Sequence, residues 1–111
     1  MLQMDKLKRI ITPVSKFIAT MESYMSQTES DIANLDQALK EGDRESIFTY
    51  SHRIKGGAQI LSAVRLTNSC FSLEDQAFTL TFEEIEEFHK NIHVEWENVR
   101  NSIIKSLQEI T

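Results

Sequence analysis

The stretch SHRIKGGAQIL, Ser51 to Leu61, decides how this chain folds. Two adjacent glycines, Gly56 and Gly57, interrupt what otherwise reads as an amphipathic helix. Each glycine inside a helix costs roughly 1 kcal/mol relative to alanine. Lys-Gly after an apolar helix commonly marks a C-terminal cap. The phase argues otherwise here. Ile47, Tyr50, Ile54, Ala58 and Leu61 keep one helical register through both glycines, whereas a break would reset it. A phosphate-cradling loop is also excluded, because neither glycine-loop pattern is present and no strand precedes the stretch. Both glycines are therefore placed inside a helix, at a cost that calls for a reason.

The flanking sequence is helical with clear punctuation. A short first helix is expected over about Asp5 to Ile11. Thr12 then reads as an N-cap, with Pro13 at the first helical position. Val14, Ile18, Met21, Met25, Thr28, Ile32, Leu35 and Leu39 follow in steps of four and three, the mark of a long helix with one apolar seam. Gly42 in KEGD is a natural residue to end it, and Asp43 is placed to cap the next helix. That next helix carries the glycine pair, and Ser62 reads as its boundary and as a cap. A following segment points Leu66, Cys70, Leu73 and Ala77 inward. In TLTFEEI, Thr81 and Glu84 form a capping box, with Leu80 and Ile85 as the hydrophobic staple. Ile85, Phe88, Ile92, Trp96, Val99, Ile103, Leu107 and Ile110 then continue one core face. Short connections make sequential helices antiparallel neighbours. The expectation is an all-α, up-down antiparallel four-helix bundle over about 13–110, with residues 1–12 as a helical extension.

Composition agrees with a single domain. The 111 residues are 41% hydrophobic and 26% charged, with only three Gly and one Pro, which argues against a β-sandwich or a flexible linker. The net charge of −5 disfavours a nucleic-acid partner. Cys70 is the single cysteine, so no internal disulfide forms and a reducing compartment suits the chain. No apolar run is long enough to span a bilayer, and no signal peptide is visible.

The reason for the glycines lies on the outer face. His52 is two residues from the inward Ile54, about 200° around the helix, so it points to solvent. Its neighbours one turn away are Phe48, Lys55 and Gly56, and Gln59 lies two turns on. A missing side chain beside an exposed imidazole leaves room for another molecule to approach it. A lysine one turn away can neutralise an anion carried on that ring.

HRIKGGAQILSAVRLTNSCFSLE, 52–74, resembles the histidine-containing phosphotransfer (HPt) domain. The motif is a histidine with lysine and glycine three and four residues on, then a helix with a Leu…Cys…Leu-Glu pattern. LKEGDRESIFTYSHRIKG, 39–56, is similar to that family's entry into its active helix. The resemblance is detailed from about Phe17 to Glu74 and extends to the last helix only in pattern. It implies a carrier that moves phosphoryl groups between receiver-domain aspartates. His52 would be the phosphoacceptor, Lys55 would sit beside the phosphoryl group, and Gly56 would clear space for the receiver. Glu74 would hydrogen-bond the imidazole, fixing the tautomer so that Nε2 is free to attack. Phe48, Gly56 and Gln59 would face the receiver. The domain would bind no cofactor, and Mg²⁺ is expected on the partner. As an isolated domain it would be a monomeric phosphocarrier without an ATP site, not an enzyme, with no membrane contact of its own. A cytoplasmic location is expected, either as a separate protein or as a terminal domain of a sensor kinase, whose parent chain would then be anchored in the inner membrane. One departure from the family pattern is Ser62, where many members have glycine.

Two other functional classes compete with this reading. A helical interaction or dimerisation module would use the glycines for close helix packing and needs an apolar surface around them, yet His52, Lys55 and Gln59 lie there. A kinase dimerisation domain carries an acidic residue after its histidine, whereas Arg53 follows His52. Elsewhere, His89 and His93 in HKNIH are spaced like zinc ligands, but with no third ligand nearby they read as a solvated helix face, and no metal site is expected. Cys70 reads as a small core residue, Met21 and Met25 as seam residues and Trp96 as a core anchor. Glu83, Glu84, Glu86 and Glu87 suit the start of a helix dipole.

Overall fold

The computed structural model describes residues 13–110, which form four helices. They are α1 (Val14–Glu41), α2 (Arg44–Ile60), α3 (Val64–Asp75) and α4 (Phe82–Ile110). Each packs on the next in sequence, and α1 closes the ring against α4. The expected helix over Asp5 to Ile11, and the expected cap at Thr12, lie outside the described residues. A 29-residue helix is about 44 Å long, and the longest dimension of the bundle is 45 Å. The two long helices thus set the length of the molecule, while α2 and α3 fill one part of it.

The punctuation is chemical. Gly42 takes φ +66, donating its N–H to Leu39 O while Asp43 N–H reaches back to Ala38 O. That paired closure satisfies the last carbonyls of α1. Asp43 then caps α2, its carboxylate accepting from Ser46 N at 3.1 Å and from Ser46 Oγ at 2.7 Å. The capping box at α4 forms as read: Glu84 N donates to Thr81 Oγ1 at 3.2 Å, and Thr81 N to Glu84 Oε1 at 3.0 Å. Arg44, at the start of α2, pins the connection before α4. Its Nη1 donates to Ala77 O at 2.8 Å and Leu80 O at 2.7 Å, and its guanidinium lies over the Phe82 ring.

Three expectations need correction. Pro13 occupies the cap position with extended backbone, and the first helical residue is Val14. The α1 seam also differs. Phe17, Met21, Thr28, Ile32, Leu35 and Ala38 are buried, while Val14 is exposed and Ile18, Met25 and Leu39 are half-buried. A straight helix drifts about 20° per heptad from a strict four-three repeat. Moreover α2, about 25 Å long, is too short to cover the first turns of α1. Finally, Ser62 is the boundary of α2 but not a cap. It adopts φ +57, with Ser62 N bonded to Gln59 O and Ala63 N to Ala58 O. Serine thus fills the left-handed position that favours glycine, and the turn closes as tightly as at Gly42. Ala63 holds the cap position of α3 without a side-chain bond.

The core joins Leu35, Ile47, Ile54, Leu61, Leu66, Cys70, Leu73, Ile85, Ile92 and Ile103. Truncating such a buried Leu or Ile to Ala costs about 2–5 kcal/mol. Burial pushes the Cys70 thiol up to about 12, with the Glu74 charge adding to the effect, so Cys70 is an inert core thiol. Asp31 is a buried carboxylate that the apolar pattern did not foretell. It is satisfied by Arg53 Nε at 3.0 Å and Gln27 Nε2 at 3.3 Å.

Candidate functional site

Helix α2 runs unbroken through Gly56 and Gly57, and neither has positive φ. The glycines are therefore interior, as the phase requires. The two differ in what surrounds them. A Cβ at Gly56 would meet nothing within 4 Å, whereas a Cβ at Gly57 would lie 2.5 Å from Tyr24 Cε1. Gly56 opens onto solvent beside His52, and Gly57 admits the Tyr24 ring from α1.

The His52 side chain is 62% exposed, and its Nδ1 lies 2.7 Å from Glu74 Oε1 on α3. These residues are 22 apart in sequence and are brought together by the tight turn at Ser62. The second carboxylate oxygen of Glu74 pairs with Lys55 Nζ at 2.7 Å. Glu74 thus bridges the histidine and the lysine of α2. Burial alone would raise its pKa, but the bonds and charges of Lys55 and His52 outweigh that and hold it below the ordinary carboxylate value. It is therefore ionised at neutral pH. As an anion, Glu74 is an acceptor only, so a neutral His52 donates Nδ1–H to it and keeps Nε2 unprotonated.

Lys55 differs from its expected place on the open face. Its side chain is only 15% exposed, paired with Glu74 and lying over the Phe71 ring. Its long alkyl stem lets the ammonium reach across to α3 while the stem packs. Phe48 is exposed and stacks with the His52 ring at 10° between planes, with centroids 6.4 Å apart. Gln59 is exposed farther along the same helix. The fold therefore gathers His52, Glu74, Lys55 and Phe48 around the open space at Gly56, with Gln59 at the margin.

Two residues of this surface were not singled out from sequence. Phe78 is exposed and its ring centroid lies 6.1 Å from that of Phe48, and exposed Phe71 meets Lys55. The available signal was phase: Phe71 follows inward Cys70 by one residue, about 100° off the seam. A large aromatic at an outward position was legible, but its contact with Lys55 was not. The pair His89 and His93 is also placed differently from the sequence reading. Asp36 of α1 supplies a third group, its Oδ1 contacting Nε2 of both imidazoles.

A helical bundle that presents one oriented histidine beside a gap in its own surface is a narrow class, and comparison with known proteins agrees. Residues 19–102 match the model of the Hpt domain family. The chain belongs to that family, the histidine phosphotransfer carriers of two-component signalling. It is similar to the phosphorelay intermediate protein YPD1 of Candida albicans, with 26% identity over 66 residues, 60% of this chain and 36% of that protein. The chain thus matches only about a third of that relative's length. Its fold is similar to the crystal structure of histidine-containing phosphotransfer protein B from Pseudomonas aeruginosa. The TM-score is 0.87 at 21% identity, over 96% of this chain and 90% of that one. Among the described residues, no helix is long and apolar enough to cross a membrane.

Proposed function

We propose that His52 accepts a phosphoryl group from a receiver-domain aspartyl phosphate and returns it to an aspartate of another receiver. The observation that carries this reading is the 2.7 Å contact between His52 Nδ1 and Glu74 Oε1 on an imidazole otherwise open to solvent. The free Nε2 lone pair attacks phosphorus, an N–P bond forms, and the acyl P–O bond breaks with its electron pair leaving on the aspartate. The ring gains positive charge while Nδ1–H stays in place. Glu74 meets that charge without being protonated, as orienting carboxylates do for other reactive histidines. Lys55 fixes Glu74 through its second oxygen and adds positive charge near the transferred group. Phosphoryl transfer also needs in-line positioning and charge neutralisation, which the receiver, with Mg²⁺, would supply. The domain is on this reading a carrier rather than an enzyme, working as a monomer in the cytoplasm within or beside a sensor kinase.

Phe48, Phe78 and Gly56 supply the docking surface: two aromatic faces and a place without a side chain. The interaction-module alternative is less well supported, since Tyr24 of the same bundle already fills the space above Gly57. Incubation with a phosphorylated receiver, followed by recovery of acid-labile, base-stable phosphate on His52, tests the proposal. Label retained at the wild-type level in His52→Gln would sink it.

A further inference from the structure

Outside the His52 site, the most concentrated chemistry lies on the seam between α1 and α4. His89 and His93 stand one turn apart on α4, so both imidazoles project from one face. From α1, Asp36 directs Oδ1 at Nε2 of both, at 2.7 Å from His93. All three ligand atoms lie within 4.8 Å of one another. The rings meet edge to face with centroids 4.7 Å apart. His89 is 20% exposed, Asp36 36% and His93 45%, so the group is walled on one side and reachable from the other.

We infer that Asp36, His89 and His93 form a binding site for a zinc-class transition-metal ion that clips α1 to α4. The donor set is two imidazole nitrogens and one carboxylate oxygen, which suits zinc and its neighbours rather than magnesium or calcium. In a tetrahedral zinc site, ligand atoms sit about 3.3 Å apart, so the ion enters with small side-chain rotations. The group borders a cleft of about 390 Å³ that is also lined by Leu39, Lys40, Glu86 and Lys90. That cleft leaves the fourth position to water or to Glu86, one turn before His89. Lys40 and Lys90 disfavour a hard dication held by charge alone, and the imidazoles select the softer ion. On binding, the ion replaces the protons on both Nε2 atoms, which leave to solvent while Nδ1 takes up or keeps the ring proton.

The consequence is mechanical. Asp36 lies 53 and 57 residues from its two partners in sequence, and a shared metal ties the last turns of α1 to the early turns of α4. Zinc that binds only the folded chain raises its stability by mass action.

Zinc chloride titrated into the full chain, followed by calorimetry and thermal melts, tests the site. Expected are one zinc per chain at micromolar concentrations and a Tm rise of at least about 4 °C, with no rise in magnesium. His93→Gln and Asp36→Asn should each weaken zinc binding at least ~10-fold, whereas His52→Gln should keep it. Nitrogen NMR should show zinc-induced shifts at Nε2 of His89 and His93. Absence of micromolar binding, wild-type affinity in both variants, or loss confined to His52→Gln would each overturn the assignment.

Discussion

Gly57 holds the ring of Tyr24: a Cβ at this position would stand 2.5 Å from Tyr24 Cε1, closer than any real contact. Tyr24 is itself wedged edge-on against Trp96, with centroids 5.9 Å apart. Burial raises its phenol pKa to about 12. The ring cannot retreat without disturbing the α1–α4 seam. One residue earlier, Gly56 faces open space. The two glycines therefore serve different ends, one internal and one external.

Alanine substitutions should separate them. Gly56→Ala should stabilise the domain by about 0.5–1 kcal/mol, the gain of alanine over glycine in an unobstructed helix. Gly57→Ala gains the same propensity but overpacks against Tyr24, and should destabilise by about 1–2 kcal/mol net. Thermal melts of both variants decide. Stabilisation by both would mean that Tyr24 yields freely.

Gly56→Gln should fold, since its side chain has room in solvent, yet it should cut transfer from a phosphorylated receiver sharply by standing beside His52. Equal transfer rates in wild type and variant would remove Gly56 from the docking surface.

Ser62→Gly should stabilise the protein by about 0.5–1 kcal/mol. A non-glycine residue in the left-handed region costs about 1–2 kcal/mol, and part of the relief is lost to the greater freedom of glycine in the unfolded chain. Denaturant midpoints at unchanged m-value measure it.

Lys55→Ala should slow phosphoryl transfer and also change how stability responds to acid. The Glu74 pKa is lowered in the folded state by Lys55 and His52 against its burial. A depressed carboxylate contributes stability that is present above its unfolded value of 4.5 and is lost as pH falls through its folded value. Removing Lys55 takes away part of that contribution. The stability gap between wild type and Lys55→Ala should therefore be wide at pH 7 and narrow as pH falls below 4.5. A gap independent of pH would show that Lys55 acts only through packing.

In Glu74→Ala the His52 ring should lose its fixed tautomer and transfer should fall, though less than in His52→Gln. Nitrogen NMR of the wild type should find the proton on Nδ1, and a proton on Nε2 instead would withdraw the orienting role of Glu74.

Much of this was legible in the residues. The phase through Gly56 and Gly57 placed both inside α2 because helical periodicity is a local property, written in the spacing of Ile47, Ile54 and Ala58. The caps at Gly42, Asp43 and Thr81 were legible for the same reason: each satisfies backbone groups within four residues of itself. His52 facing outward followed from phase alone. The α1 seam was read less well, because which side of a long helix is buried depends on how far its neighbours extend along it.

What the sequence by itself determined was the four helices within residues 13–110, the caps at Gly42, Asp43 and Thr81, and the exposed histidine, all set by interactions between residues a few positions apart. The tertiary structure alone decided which side chains meet across helices. It drew Lys55 off the open face onto Glu74, set Tyr24 over Gly57, placed Phe78 beside Phe48, and brought Asp36 to His89 and His93. These contacts join residues that the chain separates by 19 to 57 positions. Their distances follow from the rotation and crossing of packed helices, which no local pattern encodes.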